Sequence, residues 1–494
     1  MLPSILITNT VLRSYSGTEV VVRDLATGLA QRGHRVGVYS PNPGALADEI
    51  RSAGIPVVDD PGKLPFAPDI IHGHHHVETL LAIESFPGAM GIFVCHDRTA
   101  WTDLTPYHPR LLRYVAVDLN CRERLEVEGR IPGNDITVIS NAVDLRRFAP
   151  RKALPEVPQR ALVFSNYAHA VTHLNPILEA CAQVSLPVDV AGERAGKLVT
   201  APEKLLPEYD LVFAKARCAC EAMATGCAVI LCDFAGLGSL VTRDAVAIFR
   251  EWNFGRRLLK RPIRAELIVQ EIHRYNASDA AQVSGWIRQN AGLDAALDCY
   301  ERLYEEVLQT RPSHDLSRYQ EILTAGLRRI SLLETQMASD KSTPEMAPIS
   351  AEIANDISLS VEESGMPVSL SAGASFSLDV TITNRSAVVL HSTGCTPLLL
   401  SYHWLRGSDG SMHLLEGVRN GWTPGIEAGE SRAVRLCGNA PKEPGEYLLQ
   451  ITFVQEHLCW LENLADTLPW TARVQVVSEP AFGLDPQLSP DFLG

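Results

Sequence analysis

DLVFAKARCACEAMATGCAVILCD, residues 210–233, decides the fold of this chain. It reads as a short apolar strand, a loop carrying Lys215 and Arg217, a helix over the Ala-rich middle, a stop at Gly226 and a second apolar strand. Two strands with a helix between them and no hairpin turn form a parallel βαβ unit. The same pattern extends in both directions. Upstream, β-branched runs lie at Ala161–Ser165 and Val188–Ala191, and downstream at Val246–Phe249, which predicts a second Rossmann-like domain over 153–310. A first series runs through Ile5–Thr8, Val36–Tyr39, Asp69–His72, Ile92–His96, Tyr114–Val117 and Ile136–Ile139, which predicts another over 1–152.

After residue 278 the pattern is helical, with Leu293, Leu297, Tyr300, Tyr304 and Val307 on one stripe. A further amphipathic run, Leu316 to Met337, leads into the polar, proline-bearing segment ASDKSTPEMAP, so that 311–348 reads as helix and linker. The period then changes to two, with Phe376, Leu378, Val380 and Ile382, and later Tyr447, Leu449, Ile451 and Phe453, alternating with polar residues. That is the pattern of an immunoglobulin-like β-sandwich over 349–478, followed by a proline-rich tail over 479–494. Trp404, Trp422 and Trp460 are either core residues of this sandwich or a sugar-stacking platform.

A chain of 494 residues with 46% hydrophobic and 21% charged residues is that of an ordinary folded protein, and no apolar run reaches the roughly 18 residues a membrane span requires. MLPSILITNT enters a β-type run directly, so a signal peptide is not expected and cytoplasmic residence is. Eleven cysteines, an odd number in mostly apolar contexts, fit reduced thiols. A formal charge of −14 argues against sequence-independent binding to nucleic acid, which relies on neutralising phosphates.

The chemistry belongs at the carboxyl ends of the strands, where loops and helix N-termini converge. DIIHGHHHVETL, residues 69–80, places His72, His74, His75 and His76 behind a strand, and His96 ends the next. Three readings stand: a metal site, surface imidazoles, or histidines lining a cleft. Consecutive loop histidines cannot all face one ion, so no metal is expected. A cleft imidazole whose protonation mattered would give a pH limb near its unperturbed value of about 6.5. After the first strand, Ser16 and Glu19 have capping-box spacing, and Gly17 would let a ligand approach the backbone of an anion-binding helix N-terminus.

In several places and in the right order, residues 3–310 resemble the GT-B glycosyltransferases, in particular the retaining glycosyltransferase family 4. The matching segments are Gly17-Thr18-Glu19, then Asn141-Ala142-Val143-Asp144 with Arg147-Phe148 at the interdomain position, and Glu221-Ala222-Met223-Ala224 with Gly226. The resemblance implies a nucleotide-sugar donor, UDP- or GDP-linked, gripped by the second domain, with no other cofactor and no metal. Glu221 would then hold the ribose hydroxyls, and His96 would lie at the sugar as the candidate catalytic residue. His72 and His74 to His76 would line the acceptor side. Two departures stand out. Phe213 occupies the place of the usual second glutamate, and Phe164-Ser165-Asn166-Tyr167-Ala168-His169 lacks the usual phosphate-clamping arginine and lysine. Lys215 and Arg217 either replace that clamp or are ordinary surface charges.

The expected function is transfer of a sugar to a glycan or lipid-linked glycan in bacterial polysaccharide or cell-surface glycan assembly. Peripheral association with the inner face of the membrane is left open. The alternatives are a non-catalytic glycan- or nucleotide-sugar-binding protein and a GT-B sugar-nucleotide epimerase. The segment from Ala440 to Tyr447, with Val454-Gln455-Glu456 and Trp460, is similar to β-sandwich modules of bacterial polysaccharide-assembly proteins.

Overall fold

The β-branched runs of the first 150 residues pair as one seven-stranded parallel sheet, in the order Val57–Val58, Val36–Tyr39, Ile5–Thr8, Ile70–His74, Met90–Cys95, Leu111–Ala116, Ile136–Val138. The computed structural model describes residues 2–170, 172–310, 346–361, 369–393, 396–415, 417–456, 458–465 and 468–478. The helix and linker expected over 311–345 and the tail over 479–494 lie outside the described residues. Strands Ile5–Thr8 and Ile70–His74 are buried along their whole length, as a sheet covered on both faces requires. Strand order reverses between these two, so a crevice opens at their carboxyl ends.

The second sheet has the order Val188–Ala191, Ala161–Phe164, Leu211–Ala214, Ala228–Asp233, Gly236–Leu240. The first four strands are parallel and the last is antiparallel. Its switch point falls between Ala161–Phe164 and Leu211–Ala214, so the loops after Phe164 and Ala214 face one crevice. The opening stretch folds as expected: helix Ala216–Thr225 ends on Gly226, whose φ of 103° and bonds to the carbonyls of Ala222 and Met223 form a left-handed cap. One expected strand is corrected. Val246–Phe249 lies in the helix Val246–Glu251, with Ile248 61% exposed. Four apolar residues do not by themselves distinguish strand from helix. The actual fifth strand, Gly236–Leu240, is glycine-rich. A Cβ on Gly236 would lie 2.6 Å from the carbonyl oxygen of Leu259, so this close backbone approach needs a glycine.

Two connections join the sheets. Val143 makes a parallel bridge to Gly292, donating to Ala291 O at 2.8 Å and accepting from Leu293 N at 2.9 Å. Helix Leu293–Gln309 then returns to the first sheet and buries Leu293, Leu297, Tyr300, Leu303, Tyr304 and Val307 in that core. Each such side chain contributes about 1.5–3 kcal/mol when fully buried. A Cβ on Gly28 would approach Leu297 Cδ1 to 2.7 Å, so the helix Gly17–Gln31 reaches its neighbour at this glycine.

Contacts divide the chain near Pro348–Ile349 into two compact units. The second contains an antiparallel sheet of Ile357–Val361, Ser375–Asn384 and Ser431–Asn439. Its other sheet is built on Leu398–Arg406, Gly445–Gln455 and Trp470–Val477. Phe376 of the former meets Tyr402 and Trp404 of the latter at ring distances of 5.5 and 5.9 Å, which makes the unit a sandwich. All three tryptophans are buried. Trp404 Nε1 donates to Asn439 O and Trp422 Nε1 to Leu390 O, while Trp460 lies 4.3 Å from the His403 ring. They are core residues, not an exposed stacking surface.

Candidate functional site

The histidines gather at the first switch point, but not all in a loop. The strand runs on to His74, two residues beyond its expected end, so His72 and His74 are fully buried within it. Alternation puts these two rings on one face with Gly73 between them, where a Cβ would collide with Thr79 at 2.3 Å. The His72 and His74 rings stack at 4.7 Å, and the His74 and His96 rings at 4.8 Å. His72 Nδ1 lies 2.5 Å from the Tyr304 hydroxyl, and His74 Nδ1 lies 2.6 Å from His96 Nε2. The chain of rings therefore begins on the returning helix and ends at His96.

His75, with φ 64°, turns the chain into helix His76–Ser85 and accepts from the Thr10 N–H at 3.1 Å. His76 donates from Nδ1 to the Thr102 carbonyl at 2.9 Å and meets the Trp101 ring edge-on at 5.4 Å. Burial pushes His72 and His96 down to about 3 and His75 to about 4, and it holds His74 well below its ordinary value. These imidazoles are neutral across the physiological range. Among the described residues no three His, Cys, Asp or Glu side chains are grouped to hold one metal ion.

His96 follows the end of its strand and donates its N–H to Asp103 at 2.9 Å. Burial raises the Asp103 carboxyl to about 7. The intervening loop is tightly held. Asp97 accepts from the N–H groups of Thr99 and Ala100 at 2.6 and 2.9 Å, and Arg124 binds the carbonyls of Asp97 and Ala100 at 2.6 and 2.9 Å.

The expected capping box takes another form. Ser16 makes no side-chain cap bond, and Glu19 instead accepts from the N–H and hydroxyl of Ser14 at 2.7 and 2.8 Å. The acid therefore closes the preceding loop. Gly17 has open space where a Cβ would stand.

Across the cleft, helix Ala216–Thr225 carries Arg217 and Glu221 one turn apart. Glu221, 4% exposed, accepts from Arg217 Nε at 2.7 Å, and Arg217 also pairs with Asp24 of the first domain. Asp24 is paired in turn with Arg23 at 2.7 Å. Burial raises Glu221 despite the guanidinium. Burial would raise Asp24 as well, but Arg217 and Arg23 hold it below the ordinary range. Asp24, Arg217, Asn141, His96, Val21 and Tyr300 line a cavity of about 20 Å³, room for about one water.

Lys215 pairs with Asp233 at the end of the next strand, its ammonium 5.3 Å from the ring centres of both Tyr167 and Phe234. Burial would raise Asp233, but Lys215 and His173 hold it low. Neither Lys215 nor Arg217 is an ordinary surface charge, and each is already engaged by a carboxylate. Phe213 is buried in its strand.

Sequence reading passed over Asp24 and Asp233. A signal existed for the latter, since AVILCD ends an otherwise apolar strand on one charge. Asp24 left no such mark, because helical charges are ordinarily solvated.

Two Rossmann-like sheets, a bridge at Val143 and a helix that returns to the first sheet make up a GT-B fold. Residues 15–147 match the family model Glycosyltransferase Family 4. That span contains the Gly17 loop, every cleft histidine and the Asn141 to Arg147 segment. No curated protein matches the chain. Among solved structures, a glycosyltransferase from Rickettsia africae ESF-5 is 16% identical with a TM-score of 0.46, over 63% of this chain and 100% of that one. Anabaena Alr3699/HepE in complex with UDP-glucose is 14% identical with a TM-score of 0.45, over 62% and 99%. WaaG, a glycosyltransferase involved in lipopolysaccharide biosynthesis, is 11% identical with a TM-score of 0.40, over 61% and 99%. Likenesses this distant carry no residue role or substrate to this chain.

Proposed function

We propose that the protein transfers a sugar from a nucleotide-sugar donor, UDP- or GDP-linked, to a glycan or lipid-linked glycan. The observation that carries this reading is the Glycosyltransferase Family 4 match across the first domain into the Asn141 to Arg147 segment, on a two-sheet architecture with facing crevices. The donor nucleotide would lie at the second crevice, near Lys215, Arg217 and Glu221, with its sugar toward His96. Gly17 leaves room on the opposite wall, and the acceptor would approach past His75 and His76. Transfer with retention, no metal requirement, a bacterial polysaccharide or cell-surface role, and work at the inner face of a membrane complete the proposal. Binding energy would go mainly into orienting donor and acceptor and into stabilising charge on the leaving diphosphate.

One observation favours a second reading, a nucleotide-sugar-binding protein without turnover: Glu221, Lys215 and Arg217 are all engaged in ion pairs. Thermal shift of the full chain against UDP-, GDP-, ADP- and CMP-sugars, followed by product analysis of each stabilising donor, separates the possibilities. A ligand at 100 times its Kd stabilises by about 2.7 kcal/mol. Release of nucleotide from sugar supports transfer, and binding without any product supports the second reading. A product with nucleotide and sugar still joined would indicate an epimerase. No stabilisation by any donor would overturn the proposal.

A further inference from the structure

We propose that His74 is a positioning residue for His96, fixing that imidazole with its proton on Nδ1 so that it offers the cleft a neutral N–H donor for a sugar oxygen. The purpose of this donor rests on the sugar-transfer reading, whereas the proton placement rests on the geometry alone.

The contact of 2.6 Å between His74 Nδ1 and His96 Nε2 requires one proton between two nitrogens. Each ring is neutral and has a single N–H to place. In one arrangement His74 donates from Nδ1, His96 accepts at Nε2, and the His96 proton sits on Nδ1. In the other, His96 donates from Nε2 and the His74 proton moves to its own Nε2. That atom decides between them. His74 Nε2 is buried with no hydrogen-bond partner. The second arrangement would leave a buried N–H donor with no acceptor, whereas the first leaves only an unused lone pair, the more readily tolerated defect.

His74 is itself held in place. Its N–H donates to Thr8 Oγ1 at 3.0 Å and its carbonyl accepts from the same hydroxyl at 2.9 Å. The His72 ring stacks on it at an interplanar angle of 14°. His96 is anchored by its N–H to Asp103, lines the cleft cavity, and has no hydrogen bond at Nδ1 among the described residues. A rigid, neutral donor therefore sits at the mouth of a buried ring stack. As a neutral donor it would stabilise an oxygen without taking up its proton.

The test is the tautomer itself, read in full-length protein labelled with 15N-histidine from long-range proton–nitrogen spectra. The His96 signals are assigned by their loss in His96→Asn. The expected result is a protonated Nδ1 and a bare Nε2 on His96 from pH 5.5 to 8. His74→Asn, whose amide N–H replaces the lost donor, should preserve this form. His74→Leu should return His96 to the Nε2–H form that a free imidazole favours. A wild-type His96 protonated on Nε2 overturns the inference, and that spectrum decides the matter even where a variant does not fold. Persistence of the Nδ1–H form in His74→Leu overturns it equally. Where a donor sugar is turned over, His74→Leu should lower kcat at least tenfold with nucleotide Kd unchanged, and His74→Asn should recover most of it. Equal kcat losses in the two variants would refute the donor role. Absence of turnover with every sugar would instead count against the sugar-transfer reading, leaving the tautomer result to stand or fall by itself.

Discussion

Replacing Arg217 by Met tests the centre of the cleft. The substitution keeps an unbranched chain and removes the cation that pairs with both Asp24 and Glu221. Asp24 retains Arg23 at 2.7 Å, but Glu221, 4% exposed, loses the guanidinium it is hydrogen-bonded to. Removing one partner of a buried pair costs about 3–5 kcal/mol, a large part of the roughly 5–15 kcal/mol that holds a typical domain together. A fall in Tm on the order of 10 °C follows. The sign of its pH dependence is fixed as well. Burial already raises the Glu221 carboxyl, and without the guanidinium it rises further. A carboxyl raised in the folded state binds more protons there than in the unfolded chain, so the deficit of Arg217→Met should be larger at pH 8 than at pH 5. Calorimetry and urea unfolding of Arg217→Met, Glu221→Gln and the double variant provide the assay. The double variant should recover at least about 2 kcal/mol relative to the sum of the singles, because its orphaned charge is gone. A loss below about 1 kcal/mol in Arg217→Met, or strict additivity in the double variant, would refute the reasoning.

Three further outcomes are expected. His96→Ala should lower turnover and leave nucleotide product binding nearly unchanged by calorimetry, and EDTA should alter neither quantity. The pH–rate profile should lack an imidazole limb near 6.5 from His96, because burial moves that ring to about 3; a limb that disappears in His96→Ala would contradict the burial argument. Asp103, raised to about 7 by burial, favours the folded state while protonated, and this advantage is lost as pH rises from its ordinary value through 7. Asp103→Asn keeps an oxygen for the His96 N–H and should stabilise the protein more at pH 8 than at pH 5; an equal or opposite change in urea midpoints would argue against a buried, protonated Asp103.

Local pattern carried most of the fold, and it carried the site only where chemistry was also local. Ile5–Thr8, Val36–Tyr39 and Leu211–Ala214 are legible because strands buried on both faces read as near-continuous apolar runs, and their bounds match the sequence reading. Val246–Phe249 misleads for the complementary reason: four apolar residues fit a helix with one face outward equally well. Gly236–Leu240 is hidden because two glycines that meet backbone interrupt its apolar run, leaving only Leu237 and Leu240 as a signal. At the cleft the histidines are visible as composition, yet their hydrogen bonds depend on partners on other elements, Tyr304 for His72 and His96 for His74. Arg217 shows this most clearly. Its spacing to Glu221 is a one-turn helical pair visible in any reading, but the carboxylate that completes the pair is Asp24, nearly two hundred residues upstream on a helix whose charges gave no reason to expect burial. Once these three meet, their charges are committed to one another. On the proposed reading, a nucleotide entering there would have to exchange those bonds for its own, so affinity at this site would measure the difference between two sets of charge-assisted contacts and not the strength of either.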